Sequence, residues 1–407
     1  MKVSRCLPPV LMAFFISFMG LPMAGCSRSE QKSVVTTVKT ELNLLKAMDS
    51  KTAAKYVSSL KDSLGSPDDG DPLIQDSSLA GTIEEVVALF FQNFGYKILS
   101  TQISEAETEA SCSLSVKTIN AHALAKDYVT ASLKAQMKRS LLGGVSEDAS
   151  YSLPVADRFL ILRNLLRNEQ YGTMDNICQI HLKKNDSDGS WQIVQDSSLE
   201  NSLTGGFEAS LSNPALLTPA ETLSAIFDGL MEMDQDDFVH YLGAYDLLYT
   251  TDDTANSIAA ALSKQIHTCF SYEILQTEES GVQADVHVRI QTFDGEAILS
   301  SYKSSLEAYL DTAQAVINGR HVRYQKSYSL LVDAISKNEA VLYSETVFHL
   351  INDGVSWKLQ EGARPFSEAV FGKLFDAFES TEFQADYYTD DSQETEEYYY
   401  DETDEMY

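Results

Sequence analysis

Two histidines occupy matching places in this chain, in Ile180-His181-Leu182 and Phe348-His349-Leu350. Imidazole titrates near neutrality and ligates metals, so a paired His invites an acid–base or metal-binding reading. Strand parity opposes it: the flanking apolar residues point one way and each His the other, away from a core. Tyr96 and Tyr272 also correspond and start strands where a phenol can line a cavity, although a core tyrosine with a satisfied hydroxyl is the commoner fate. Asn185-Asp186-Ser187-Asp188-Gly189 has the composition of a calcium loop. It lacks the twelve-residue spacing and closing Glu of an EF-hand, and a hairpin turn explains it. The acidic run at 68–71 reads as a loop for the same reason. Cys112 and Cys178 fall on apolar parity in separate strands, where cysteine serves as a small filler or as one half of a bridge. There is no G-x-S-x-G, H-E-x-x-H, C-x-x-C or phosphate loop. No catalytic, metal-ligating or cofactor-binding residue is therefore assigned, and no cofactor is expected.

A third cysteine, Cys26, has a different setting. Lys2 and Arg5 give a positive start, and Leu11 to Leu21 is apolar but too short to cross about 30 Å of hydrocarbon. The stretch ends in Met23-Ala24-Gly25-Cys26, small residues in the pattern of signal-peptide cleavage. Cys26 directly after Ala24-Gly25 resembles the lipobox of bacterial lipoproteins. That resemblance implies a diacylglyceryl group on the Cys26 sulfur, cleavage that leaves Cys26 first, and a place on the outer face of the cell membrane. Two acyl chains suffice for stable anchoring, since each buried methylene contributes about 0.8 kcal/mol.

The elements that position these residues are written twice. Met48 and Tyr56 recur as Met233 and Tyr241, YKIL at 96–99 as YEIL at 272–275, and ASCSLSVKT at 110–118 as ADVHVRIQT at 284–292. The two tryptophans, Trp191 and Trp357, close the series, each behind an Asp-Gly turn. The matches keep their order while the offset shrinks from 185 to 166, which is duplication with small deletions. Each copy reads as an amphipathic helix, a Met-Asp break whose Asp49 or Asp234 caps the next helix, and a further helix. Two alternating strands, a helical pair and a hairpin opened by Trp follow. The fold class is α+β: two tandem repeats, each a curved antiparallel sheet packed by helices, with an inserted helical pair.

The division expected is a signal peptide at 1–25, a tether at 26–32, a first module at 33–207 and a linker at 208–217. A second module spans 218–377 and an acidic tail 378–407. From Glu379 to Tyr407 the tail holds twelve acids, six tyrosines and no Lys or Arg, a composition that cannot offset its ordering entropy. Such a tail can hold cations, coat a wall polymer or only keep the terminus solvated. The whole chain carries a formal charge of −30, against nucleic acid as a partner and against a basic lipid-binding surface.

The ending WQIVQDSSLENSLTGGF, residues 191–207, resembles the close of a domain of unknown function in lipoproteins of Gram-positive Firmicutes. The wider pattern looks like the nuclear-transport-factor-2-like or cystatin-like cone. In the second copy Pro365 to Gly372 replaces the Gly-Gly ending. The resemblance implies an envelope location and no known reaction; some cone relatives are isomerases or dehydratases. The expectation is a non-enzymatic lipoprotein that binds or scaffolds, with a membrane and an envelope protein, polymer or small ligand as partners. The alternative is a small-ligand carrier or enzyme that uses a module cavity.

Overall fold

A computed structural model describes residues 27–65, 77–142, 153–168, 171–244, 252–360, 369–372 and 374. The signal segment, Cys26, the run at 68–71 and the acidic tail lie outside the described residues. The first copy opens with α1 (Ser27–Lys46), whose Val34, Val38, Leu42 and Leu45 form one fully buried stripe. The chain breaks at Met48 (φ 57°), and Asp49 caps α2 (Ser50–Lys55) by accepting the Thr52 N–H at 2.8 Å. Two further helices, α3 (Ser58–Leu64) and α4 (Ser77–Phe91), precede the first sheet.

That sheet is an antiparallel meander of β1 (Gly95–Ile103), β2 (Glu109–Ile119), β3 (Thr173–Lys184) and β4 (Trp191–Ile193), paired in chain order. The helical pair α5 (Ala121–Leu142) and α6 (Val155–Asn168) is inserted between β2 and β3. Cys112, Leu114 and Val116 of β2 point into the core with Cys178, Ile180 and Leu182 of β3. The copy ends in α7 (Ser197–Leu203) and α8 (Phe207–Leu211).

The second copy repeats the plan. Thr218 and Glu221 make a reciprocal capping box at the start of α9 (Pro219–Met231). Asp234 and Asp237 exchange the same pair of bonds at α10 (Gln235–Ala244), and α11 (Asp252–Cys269) follows. The sheet is β5 (Ser271–Ser280), β6 (Gln283–Phe293), β7 (Val341–Asn352) and β8 (Trp357–Leu359), again antiparallel in chain order. Three helices fill the insertion: α12 (Gly295–Leu310), the short α13 (Ala313–Ile317) and α14 (Arg320–Ser336).

Agreement between the copies extends to irregularities. A bulge sits between Ile98 and Ser100 in β1 and between Ile274 and Gln276 in β5. One extra residue, Leu99 or Leu275, bends the strand at the same place. Val286, Val288 and Ile290 take the inward positions of Cys112, Leu114 and Val116. The two sheets face two cores, one built from the helices before and after β1–β4, the other from those around β5–β8 with Met137 of α5 packed against it.

Three features differ from the sequence reading. Residues 27–32 are not a tether: they are the opening of α1, held because Glu30 meets both Trp191 and Lys184. The segment 208–217 is not a bare linker, since it continues α8 and buries Leu216 and Leu217. The altered ending of the second copy keeps the first copy's geometry. Gly205 (φ 74°) passes so close to β2 that an added Cβ would lie 2.7 Å from the Ile119 carbonyl oxygen. Gly372 (φ 55°) stands likewise over Phe293, the residue equivalent to Ile119, where an added Cβ would collide with the Phe293 carbonyl oxygen. One glycine of this closing turn, Gly205 or Gly372, is the shared point of close approach.

Gly205→Ala and Gly372→Ala should each lower stability in urea by about 2–4 kcal/mol, combining left-handed backbone strain with a backbone clash. Gly281→Ala, at the open β5–β6 turn where nothing approaches, carries only the strain and should cost about 1 kcal/mol. Equal losses at all three positions would show that the close approach is unimportant.

Candidate functional site

The tyrosines that were candidates for a cavity are structural ties. Tyr96 donates to Asn43 Oδ1 at 2.8 Å and lies 3.4 Å from the Lys39 carbonyl. Tyr272 donates to Asp228 Oδ1 at 2.8 Å and lies 3.4 Å from the Ser224 carbonyl. Both acceptors sit on the first helix of their copy, 185 residues apart, so one clasp joins α1 to β1 and α9 to β5. Burial raises both phenols above their ordinary pKa, which keeps them protonated as donors. In the second copy Phe227 touches the rings of Phe270, Tyr272 and Phe348, and the helix–sheet space is filled there.

The histidines separate. His181 is exposed on the outer face of β3, opposite Ser111. His349 is on the same face of β7, opposite Asp285, and its Nδ1 lies 2.7 Å from Asp285 Oδ1. Among the described residues a His–carboxylate pair thus exists in one copy only, on the outer face of the sheet. The repeat alignment contained this signal, because Asp285 replaces Ser111 in direct cross-strand register with the His. Among the described residues no three His, Cys, Asp or Glu side chains are grouped to hold a metal ion.

The loop 185–189 is a hairpin turn. Asn185 Oδ1 accepts the Ser187 N–H and Asp188 Oδ1 accepts the Ser190 N–H, both at 2.9 Å, and Gly189 has φ 68°. These short-range bonds use the side chains that a calcium reading would need. Cys112 and Cys178 are free thiols, packed diagonally on neighbouring strands. Burial pushes Cys178 up to about 11, so at neutral pH it is an uncharged filler.

The two tryptophans sit differently. Trp191 is 4 % exposed, its indole N–H donates to Glu30 Oε2 at 2.8 Å, and Lys184 lies over its ring at 5.5 Å. Trp357 is 6 % exposed and borders a half-open cavity of about 320 Å³ between the modules. The walls come from α5, α6 and the segment before α9, with the β7–β8 turn on the opposite side.

Sequence reasoning missed this junction. It is held by α5, which buries Leu124, Ala125 and Tyr128 in its own core and turns three lysines to the second module. Lys126 meets Glu221 at 2.6 Å, Lys134 meets Glu232 at 2.7 Å and Lys138 meets Asp237 at 3.2 Å. Lysines spaced by eight and four share a helix face, and α9–α10 is rich in acids; that complementarity was the available signal. Gly229 of α9 lets the backbones approach, as its added Cβ would lie 3.2 Å from Lys134 Cα.

No family model matches this chain, and no curated protein is similar to it. Among solved structures, it is similar to the crystal structure of a candidate lipoprotein of Bacillus subtilis. The two are 10 % identical with a TM-score of 0.27, over 68 % of this chain and 96 % of the other. At that score the likeness carries no argument about fold or role. Among the described residues no helix is long and apolar enough to cross a membrane.

The Glu30–Trp191 contact gives a pH test. The indole N–H and Lys184 hold the Glu30 carboxyl below its ordinary pKa. A depressed folded-state pKa means the contact contributes fully above the usual glutamate range and is lost as pH falls through the folded value. Acid titration should therefore shift the Trp191 indole N–H resonance before the sheet unfolds. Glu30→Gln should remove that step, and its persistence in the variant would assign the titration elsewhere.

Proposed function

We propose that this chain is a lipid-anchored extracytoplasmic protein whose two modules bind or scaffold without catalysing a reaction. The observation that carries the reading is the position of Cys26. It follows Met23-Ala24-Gly25 and immediately precedes α1, the helix that covers the first sheet. A diacylglyceryl group on Cys26 would hold the first module directly at the membrane surface, with no extended tether between lipid and fold. The likeness of the 191–207 ending to a domain found in Firmicutes lipoproteins supports the same place, and the nuclear-transport-factor-2-like cone is the fold type that goes with it.

Packing inside the modules favours binding over chemistry. The helix–sheet space of the second module is occupied by ring contacts, and the tyrosine hydroxyls of both modules are committed to helix acceptors. The outer faces of the sheets and the junction between modules are the surfaces left for a partner. An envelope protein, a wall polymer or a small ligand would be the partner there, and nucleic acid is opposed by the charge of −30.

Anchoring is tested by expressing the full chain with an alkyne-bearing fatty acid in a Gram-positive host. The native chain should incorporate label and sediment with membranes. Cys26→Ser should lose the label and accumulate unprocessed or in the soluble fraction. A Cys26→Ser chain that is labelled, processed and membrane-bound to the native extent would remove the basis of the reading.

A further inference from the structure

Trp191 and Trp357 are equivalent residues with unequal partners. The position 185 residues after Glu30 is Ala215, so no carboxylate reaches Trp357 as Glu30 reaches Trp191. The Pro214 carbonyl instead accepts from Asn352, the counterpart of Lys184. The Trp357 indole N–H donates to no described residue and borders the junction cavity.

Other unused donors line the same cavity. Arg158 spends Nε on the Leu153 carbonyl at 2.8 Å and Nη1 on the Leu64 carbonyl at 2.9 Å. Those bonds fix the guanidinium plane and leave Nη2 without a described partner. Ser132 Oγ is shielded from solvent and meets only the Tyr128 hydroxyl, in a contact too loose for a well-formed hydrogen bond, which is costly unless something fills the site. The buried Tyr128 hydroxyl lies near both Ser132 and Arg158, and burial keeps it protonated. The rest of the wall is largely apolar, with Leu133 and Leu217 facing Val355 and Trp357. Among the described residues of its wall Arg158 is the one charged side chain, and no acid is among them.

We propose that the module junction binds a small amphipathic carboxylate. Its acid group meets Arg158, Tyr128 and Ser132, and its apolar body lies against Trp357 and Leu217. The donors match a carboxylate, which accepts several hydrogen bonds and complements one fixed guanidinium. A volume of about 320 Å³ suits a compact ligand, at the lower end of small-molecule sites. The inference goes beyond the anchoring reading and does not depend on it, since the site lies in the folded modules.

The test uses the full chain with ¹⁵N-labelled indoles and octanoate as probe, with octanol and octylamine as its neutral and cationic counterparts. Trp191→Phe assigns the two indole signals. Octanoate should move the Trp357 signal saturably and leave Trp191 in place. Octanol and octylamine should bind at least about tenfold more weakly, the scale of a charge-assisted hydrogen bond. Arg158→Gln should erase the preference for the acid. Because Arg158 also holds two carbonyls, Val355→Glu is the second variant; this rim side chain is 66 % exposed. It should weaken octanoate several-fold at low salt while leaving the melting temperature and the octanol response unchanged. Equal affinity for the three probes, an unmoved Trp357 signal, or native octanoate affinity in Val355→Glu would each overturn the proposal.

Discussion

Each four-stranded sheet has one apolar face, and that face must be covered before anything else in the molecule can be placed. β2 and β3 present six inward residues from Cys112 to Leu182, and β6 and β7 present their counterparts. Burying one such side chain contributes about 1.5–3 kcal/mol, whereas a net hydrogen bond contributes about 1 kcal/mol. Helix cover therefore supplies the stability, and polar contacts decide where the helices lie. The Tyr96–Asn43 and Tyr272–Asp228 bonds do this for the first helix of each copy. The glycine turns at Gly205 and Gly372 bring the chain back over the end of β2 and β6.

The junction between the copies follows a different balance. The lysines of α5 and the acids of α9 and α10 are partly exposed, and such pairs contribute about 0–1 kcal/mol each. They orient one module on the other more than they stabilise either. A junction of this kind leaves room for a cavity at its edge, lined by Arg158 from the first module and Trp357 from the second. The repeat supplies an internal control: equivalent positions carry an indole bonded to Glu30 in the first copy and one that donates to no described residue in the second.

The repeat, the strand faces and the caps at Asp49 and Asp234 were legible in the sequence, because each depends on local periodicity or on side chains a few residues apart. The outward direction of His181 followed from parity alone. The Asp285 partner of His349 was not seen, although the register implied by the repeat places them opposite. The structured segments at 27–32 and 208–217 were read as connectors because their composition is polar or proline-containing. Their order comes from distant contacts, Glu30 with Trp191 and Leu216 with the first core. The equivalence of Gly205 and Gly372 was hidden by the divergence around it, since one backbone approach constrains only one residue. The cavity depends on how two modules meet, and no pattern within either copy encodes it.

With two cores joined mainly by lysine–acid pairs and by Met137 of α5, the first copy is expected to fold without the second. The described first core begins in α1 and reaches Leu216, so the relevant fragment is 27–217. Thermal unfolding of that fragment, followed by near-ultraviolet circular dichroism of Trp191 and the core tyrosines, tests the claim most directly. The account predicts a folded near-ultraviolet spectrum and one cooperative transition. A fragment with no near-ultraviolet signal and no cooperative melting would contradict it, and would make the junction a shared core instead of a contact between two finished modules.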